Sequence, residues 1–135
     1  MALDTSLAPL SGAPAAGEKL KVYQRRIDFS THNLAAGAWF GVFSLDAGDV
    51  VVGGCVRIIT AGTATCTFTV GTGSSEQLLG SSALDATAAT VYPFDATAVR
   101  HIGDDDIDLE MEVAEAVLGV IEITALVLKA GDTSG

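Results

Sequence analysis

HIGDDDIDLEMEV, residues 101–113, holds the densest charge in this chain, and its reading decides the fold: seven of the seventeen acidic residues fall between Asp104 and Glu115. Three kinds of structure compete for it. A calcium loop needs oxygen ligands at positions one, three, five and twelve, with a glycine at position six for the sharp turn. Counted from Asp104, the carboxylates Asp104, Asp106, Asp108 and Glu115 fit, but position six is Leu109. A helix would put Ile107, Met111, Ala114 and Leu118 on one stripe and Leu109, Val113 and Val117 on another, with Glu112 wedged near both. A strand accounts for every position with one buried face: Ile107, Leu109, Met111 and Val113 point inward, and Asp108, Glu110 and Glu112 point outward. The expectation is a strand over residues 106–113, entered by a turn at 104–106. Its acids stand in a row at ~6–7 Å intervals and cannot wrap one ion. A solvated row of like charges also offers no pocket to raise the pKa of a general acid.

Period-two patterning continues outward from this stretch. Val22-Tyr23-Gln24-Arg25-Arg26-Ile27-Asp28-Phe29 sets Tyr23, Ile27 and Phe29 against Gln24, Arg26 and Asp28. Residues 38–45 are apolar on both faces and predict a central or interface strand. Residues 46–49 read as a turn, and 50–60 as a β-branched run broken at Gly53-Gly54, where a bulge or close backbone approach is expected. Residues 61–63 predict a hairpin turn into 65–70. Residues 71–75 read as a loop, and 76–90 as one short helix or an irregular excursion. Pro93 cannot donate to a ladder, so residues 91–94 can only be a short or edge strand. Residues 117–129 close the chain, with 120–128 as one long buried strand. Seven or eight strands with little helix predict an all-β antiparallel sandwich over residues 19–130.

A chain of 135 residues can bury a core without metal or disulfide help. Hydrophobic residues make up 49% and charged residues 18%, a thin charge that predicts apolar surface covered by other subunits. The net charge of −10 disfavours nucleic acid, which is bound through clustered Lys and Arg. Lys19, Lys21, Arg25 and Arg26 do lie within eight positions, and suit either an acidic protein surface or a solvated strand start. Residues 1–18, rich in Ala, Pro, Ser and Gly with Leu3, Leu7 and Leu10 among them, read as an extended arm held by a neighbour; residues 131–135 read as a tail. The first residues lack the charged and apolar regions of a secretory signal, and no apolar run approaches the ~20 residues that span a bilayer, so no membrane partner is expected.

Sites of chemistry are weighed against this architecture. Gly71-Thr72-Gly73-Ser74-Ser75 lacks the lysine of a phosphate-binding loop, and Glu76 stands where a dinucleotide loop needs a small residue. His32 and His101 are the only imidazoles and lie far apart, and the serines sit in no nucleophile setting. Cys55 and Cys66 are too few for a zinc site, and Cys66, alternating with threonines beside Phe68 and Val70, reads as a buried free thiol in a reduced, cytosolic assembly. Trp39, Phe40 and Phe43 could line a sugar platform, but at alternating strand positions they read first as core. No catalytic residue, metal, cofactor or small-molecule substrate is expected.

With its strands laid out, the chain resembles the small β-sandwich virion proteins of tailed bacteriophages. The resemblance lies in Arg26-Ile27-Asp28-Phe29-Ser30-Thr31-His32-Asn33-Leu34-Ala35-Ala36-Gly37 leading into an apolar strand, then Leu45-Asp46-Ala47-Gly48-Asp49-Val50-Val51, Asp105-Asp106-Ile107-Asp108-Leu109 and the final strand at 120–128. It is carried by the order of strands and turns. It implies a jelly-roll-like sandwich, commonly trimeric, serving as a head decoration or cement protein, a head fibre or a tail component. The expected reading is a non-enzymatic virion protein on the capsid surface, assembled in the host cytoplasm, which binds the major capsid protein. Its expected partner-binding residues are Leu3, Leu7, Leu10, Lys19, Lys21, Arg25, Arg26, Glu110 and Glu112. The alternative is a ligand- or receptor-binding module of a tail or head fibre, using Trp39 or Tyr92.

Overall fold

The computed structural model describes residues 19–72, 77–95, 99–100 and 105–129. The arm with Leu3, Leu7 and Leu10, most of the loop before Gln77, His101, Asp104 and the tail lie outside the described residues. Nine strands occur among those described: β1 (Lys19–Asp28), β2 (Trp39–Leu45), β3 (Val50–Thr60), β4 (Thr67–Thr72), β5 (Gln77–Ala83), β6 (Val91–Pro93), β7 (Val99–Arg100), β8 (Asp105–Val113) and β9 (Val120–Lys129). One sheet has the order β1-β9-β3-β6, with β7 also on β3; the other has the order β2-β8-β4-β5. All pairs are antiparallel. The first strand pairs with the last and the second with the next to last, while β1 and β2, and β3 and β4, fall in opposite sheets. That is the jelly-roll form of the expected β-sandwich.

The period-two pattern puts one face of each sheet between the layers. β9 has Ile121, Ile123, Ala125 and Val127 fully buried, and β8 supplies Ile107, Leu109 and Met111 from the facing sheet. Phe29, Val56, Ile58, Phe68 and Val70 are among the other residues of the core. Each such side chain contributes roughly 1.5–3 kcal/mol by leaving water.

Several expectations fail at the level of pairing. Alternation tells which side of a strand is buried and says nothing of its partner. Residues 61–66 therefore make no hairpin: they carry the chain from β3 to β4, across from one sheet to the other. β2 is an edge strand, paired with β8 alone among the described residues, so of the two expected placements, central or interface, it is not the central one. Residues 76–90 hold β5 in place of the expected short helix or irregular excursion, whereas the strand expected over 120–128 is present as β9. β8 begins at Asp105, one residue before the expected strand over 106–113.

The Gly53-Gly54 irregularity is present as a register shift between Val51 and Gly53 against β9. Gly54 has φ 152°, and a Cβ there would run into the Thr124 carbonyl and come within 2.6 Å of the Phe94 ring. Pro93 ends an edge strand, as its missing donor requires.

Strand directions sort the connections by end. Residues 29–38, 61–66, 84–90 and 114–119 gather at one end of the sandwich, and residues 46–49 lie at the other, beside the start of β1 and the end of β9. There a polar cluster ties the sheets together. Lys129 Nζ donates to the fully buried Asp49 at 2.6 Å, to Asp46 at 3.1 Å and to the Tyr23 hydroxyl at 3.2 Å. Partial burial pushes this ammonium down, but the bonds to Asp49, Tyr23 and Asp46 and the Asp49 charge outweigh that and hold it above the usual lysine range.

Candidate interaction surfaces

With the inner faces committed to the core, any function rests on the outer faces, edges and turns. The basic residues expected to act together are divided by the pleat of β1. Lys21, Tyr23 and Arg25 line the seam where β1 meets β2. The Lys21 ammonium sits 5.0 Å from the Tyr23 ring centroid, and the Arg25 guanidinium 4.9 Å from that of Phe40. Arg25 also donates to the Val42 carbonyl at 3.2 Å, and Tyr23 packs on Phe43 at 5.4 Å between centroids. Arg25 thus closes the open side of the sandwich and satisfies the carbonyl of a bulged edge strand. Lys19 opens β1 opposite Lys129.

Arg26 faces the opposite way. It joins Glu122 at 3.6 Å, and Arg57 reaches the same carboxylate at 3.1 Å. In register, Arg26, Glu122, Arg57 and Val91 form one row across β1, β9, β3 and β6 on the outer face of the five-stranded sheet. Farther along the same face, near the start of β1, Leu20 and Val22 are exposed beside the half-buried Leu126 and Leu128.

The outer face of the other sheet is acidic. Asp106, Asp108, Glu110 and Glu112 project from β8, the last two exposed. Glu110 lies between Trp39 of β2 and Thr69 of β4, and Trp39 is 61% exposed, against the core expectation. Trp39 shares the register of the outward acids, whereas Phe40 shares that of the buried Leu109. Tyr92, by contrast, is half-buried: its hydroxyl donates to the Ala83 carbonyl at 2.9 Å, and its ring meets Phe68 edge-on.

β8 keeps the expected inner face at Ile107, Leu109 and Met111 but not at Val113, which is 54% exposed. The ladder to β4 pairs Thr67 with Val113 and Phe68 with Met111, so Glu112 is an extra residue. The bulge shifts the alternation and turns both Glu112 and Val113 outward.

The turn at 114–119 follows directly. Leu34 and Ala116 exchange backbone hydrogen bonds at 3.0 and 2.8 Å. The Thr63 hydroxyl oxygen accepts from the amides of Val117 and Leu118, each at 3.0 Å, while Gly119 accepts from the Phe29 amide at 2.8 Å. Gly119, at φ 114°, packs so tightly on Gly62 that a Cβ would come within 2.5 Å of its Cα. The backbone of this turn is tied down, yet Val117 and Leu118 face solvent. Only Gly119 hinted at it in the sequence.

The cysteines are both free. Cys55 pairs in register with Thr124 on the outer face of one sheet, and Cys66 is buried ahead of β4 in the other. Burial and the charge of Asp85 push the Cys66 thiol above its usual pKa, the unreactive setting expected of a core thiol. Among the described residues no three His, Cys, Asp or Glu side chains converge as a metal site.

No protein-family model and no curated protein sequence matches the chain. Its fold recurs in solved phage capsids. It matches a chain from the capsid asymmetric unit of cyanophage Pam1 with TM-score 0.63 and 18% identity, covering 88% of this chain and 91% of that one. A chain from the capsid of Ralstonia phage GP4 matches with TM-score 0.62 and 12% identity, covering 89% and 90%. A chain from the acidic stable capsid structure of Helicobacter pylori bacteriophage KHP30 matches with TM-score 0.55 and 12% identity, covering 82% and 92%. The likeness is one of fold.

Proposed function

We propose that this chain is a non-enzymatic structural protein of a bacteriophage virion: a capsid decoration, or cement, protein that forms trimers on the capsid surface and binds the major capsid protein. The observation that carries this reading is the fold shared with chains of three phage capsids over about nine-tenths of each partner's length. The surfaces support it. Apolar residues stand exposed on the outer sheet face and at the 114–119 turn, as expected of a protein whose partners cover part of it. A decoration protein binds at many equivalent positions, so modest contacts act together. The acidic outer face, with no exposed cluster of unpaired cations to match it among the described residues, suits protein partners and not the packaged genome.

In this reading residues 1–18, with Leu3, Leu7 and Leu10, form the arm that docks on the capsid, and Glu110 and Glu112 face a basic partner surface. The test is deletion of residues 1–18. The truncated chain is expected to stay folded and oligomeric but no longer to sediment with purified heads; a truncated chain that sediments as before removes the arm's role. The exposed Trp39 favours a second reading, a receptor-binding module of a tail or head fibre. A glycan screen without hits, together with unaltered Trp39 fluorescence, counts against it.

A further inference from the structure

We infer that the 114–119 turn of one copy docks on the outer row Arg26, Glu122, Arg57 and Val91 of a second copy of this chain. The inference rests on the reading of the chain as an assembling protein and names the contact. The turn is built to present apolar side chains. Its amides and carbonyls are held by Leu34, Thr63 and Phe29, and Gly62 packs against Gly119, so little backbone freedom remains to be lost on binding. Ala114 holds a left-handed φ of 63°, a conformation that non-glycine residues rarely adopt without surrounding support. What the turn offers is Val117 and Leu118, the last 58% exposed, preceded by the exposed Glu112, Val113 and Glu115.

The row offers the complement. Val91 is 50% exposed on an edge strand, beside the apolar stem of Arg57, and Arg26 ends the row on β1; the side chains of Arg57 and Arg26 are about half exposed. Two guanidinium groups share the single carboxylate of Glu122, which leaves the row one net positive charge. An apolar, acidic tip therefore has a matching apolar, basic shelf on the same molecule. Both are exposed within the chain itself, so neither covers the other there. A contact between unlike surfaces repeats from copy to copy and gives a ring when the rotation between copies closes; the trimer proposed above is the three-membered case.

Light scattering on the full chain tests this. The wild type is expected to be oligomeric, and Leu118→Asp and Val91→Asp are each expected to be monomeric. An equimolar mixture of the two variants is expected to give a species of twice the monomer mass, because the intact turn of one meets the intact row of the other. If circular dichroism shows that Leu118→Asp is not folded, the Val117→Ser/Leu118→Ser pair replaces it. Either variant keeping the wild-type mass, or a mixture that stays monomeric, overturns the contact. A wild type that is monomeric yet sediments with heads overturns it and leaves the virion reading standing; an oligomer assembled as described that never sediments with heads does the reverse.

Discussion

β8 and β9 hold corresponding places in the two sheets, and they differ most on the side that faces away from the core. Inside, both alternate fully buried apolar residues: Ile107, Leu109 and Met111 on one, Ile121, Ile123, Ala125 and Val127 on the other. Outside, β8 shows Asp106, Asp108, Glu110 and Glu112, while β9 shows Val120, Glu122, Thr124, Leu126 and Leu128. The inner faces are interchangeable in chemistry and specify the sandwich. The outer faces are opposed in chemistry and specify what meets it.

Removal of inner side chains should show the largest effects. Leu109→Ala and Ile123→Ala are each expected to cost ~2–5 kcal/mol in denaturant unfolding, through lost burial and the cavity left behind. Glu110→Ala and Thr124→Ala should stay within ~0.5 kcal/mol. Equal losses from inner and outer positions would break the contrast.

The polar cluster around Lys129 comes next. Lys129→Met leaves Asp49 buried without its ammonium partner and is expected to cost roughly 3 kcal/mol. The Lys129 pKa is raised in the folded state, so the cluster stabilises the fold fully below the unfolded lysine value of about 10.4 and loses that contribution as the pH rises above it. Alkaline unfolding of the wild type should therefore be steeper than that of Lys129→Met. Equal slopes would remove the cluster from the account.

Gly54→Ala sharpens the contrast within β3. Its new methyl meets the Thr124 carbonyl and the Phe94 ring, for an expected loss of ~1–3 kcal/mol read from the thermal midpoint. The smallest effect on stability belongs to the acidic face. Glu110→Lys with Glu112→Lys should change unfolding by less than ~0.5 kcal/mol while abolishing sedimentation with heads. Retained sedimentation would leave that face merely solvated.

The sequence made the β-sandwich and much of its core legible, because period-two alternation in residues 22–29 and 106–111 directly reports one buried face per strand and the apolar run at 120–128 reports a long buried strand. Pairing was not legible. Nothing in Ala61-Gly62-Thr63 distinguishes a hairpin from a crossing between sheets, since turn chemistry is the same for both. Trp39 was misassigned for a related reason: a strand apolar on both faces can be central or can lie at an edge, and only its neighbours decide. Val113 was lost to a bulge, which adds one residue and inverts every later position. Asp49 and Lys129 sit 80 positions apart, so their bond is invisible before the fold is known. The tethered turn at 114–119 escaped for the same reason, because Thr63 and Leu34 reach it from other loops.

The virion role is tested most directly by measuring the chain in purified phage particles. Quantitative mass spectrometry of intact heads, calibrated on the major capsid protein, is predicted to find it in a fixed stoichiometric ratio that survives gradient purification. Its absence from purified particles, while it is abundant in infected cells, would contradict that role.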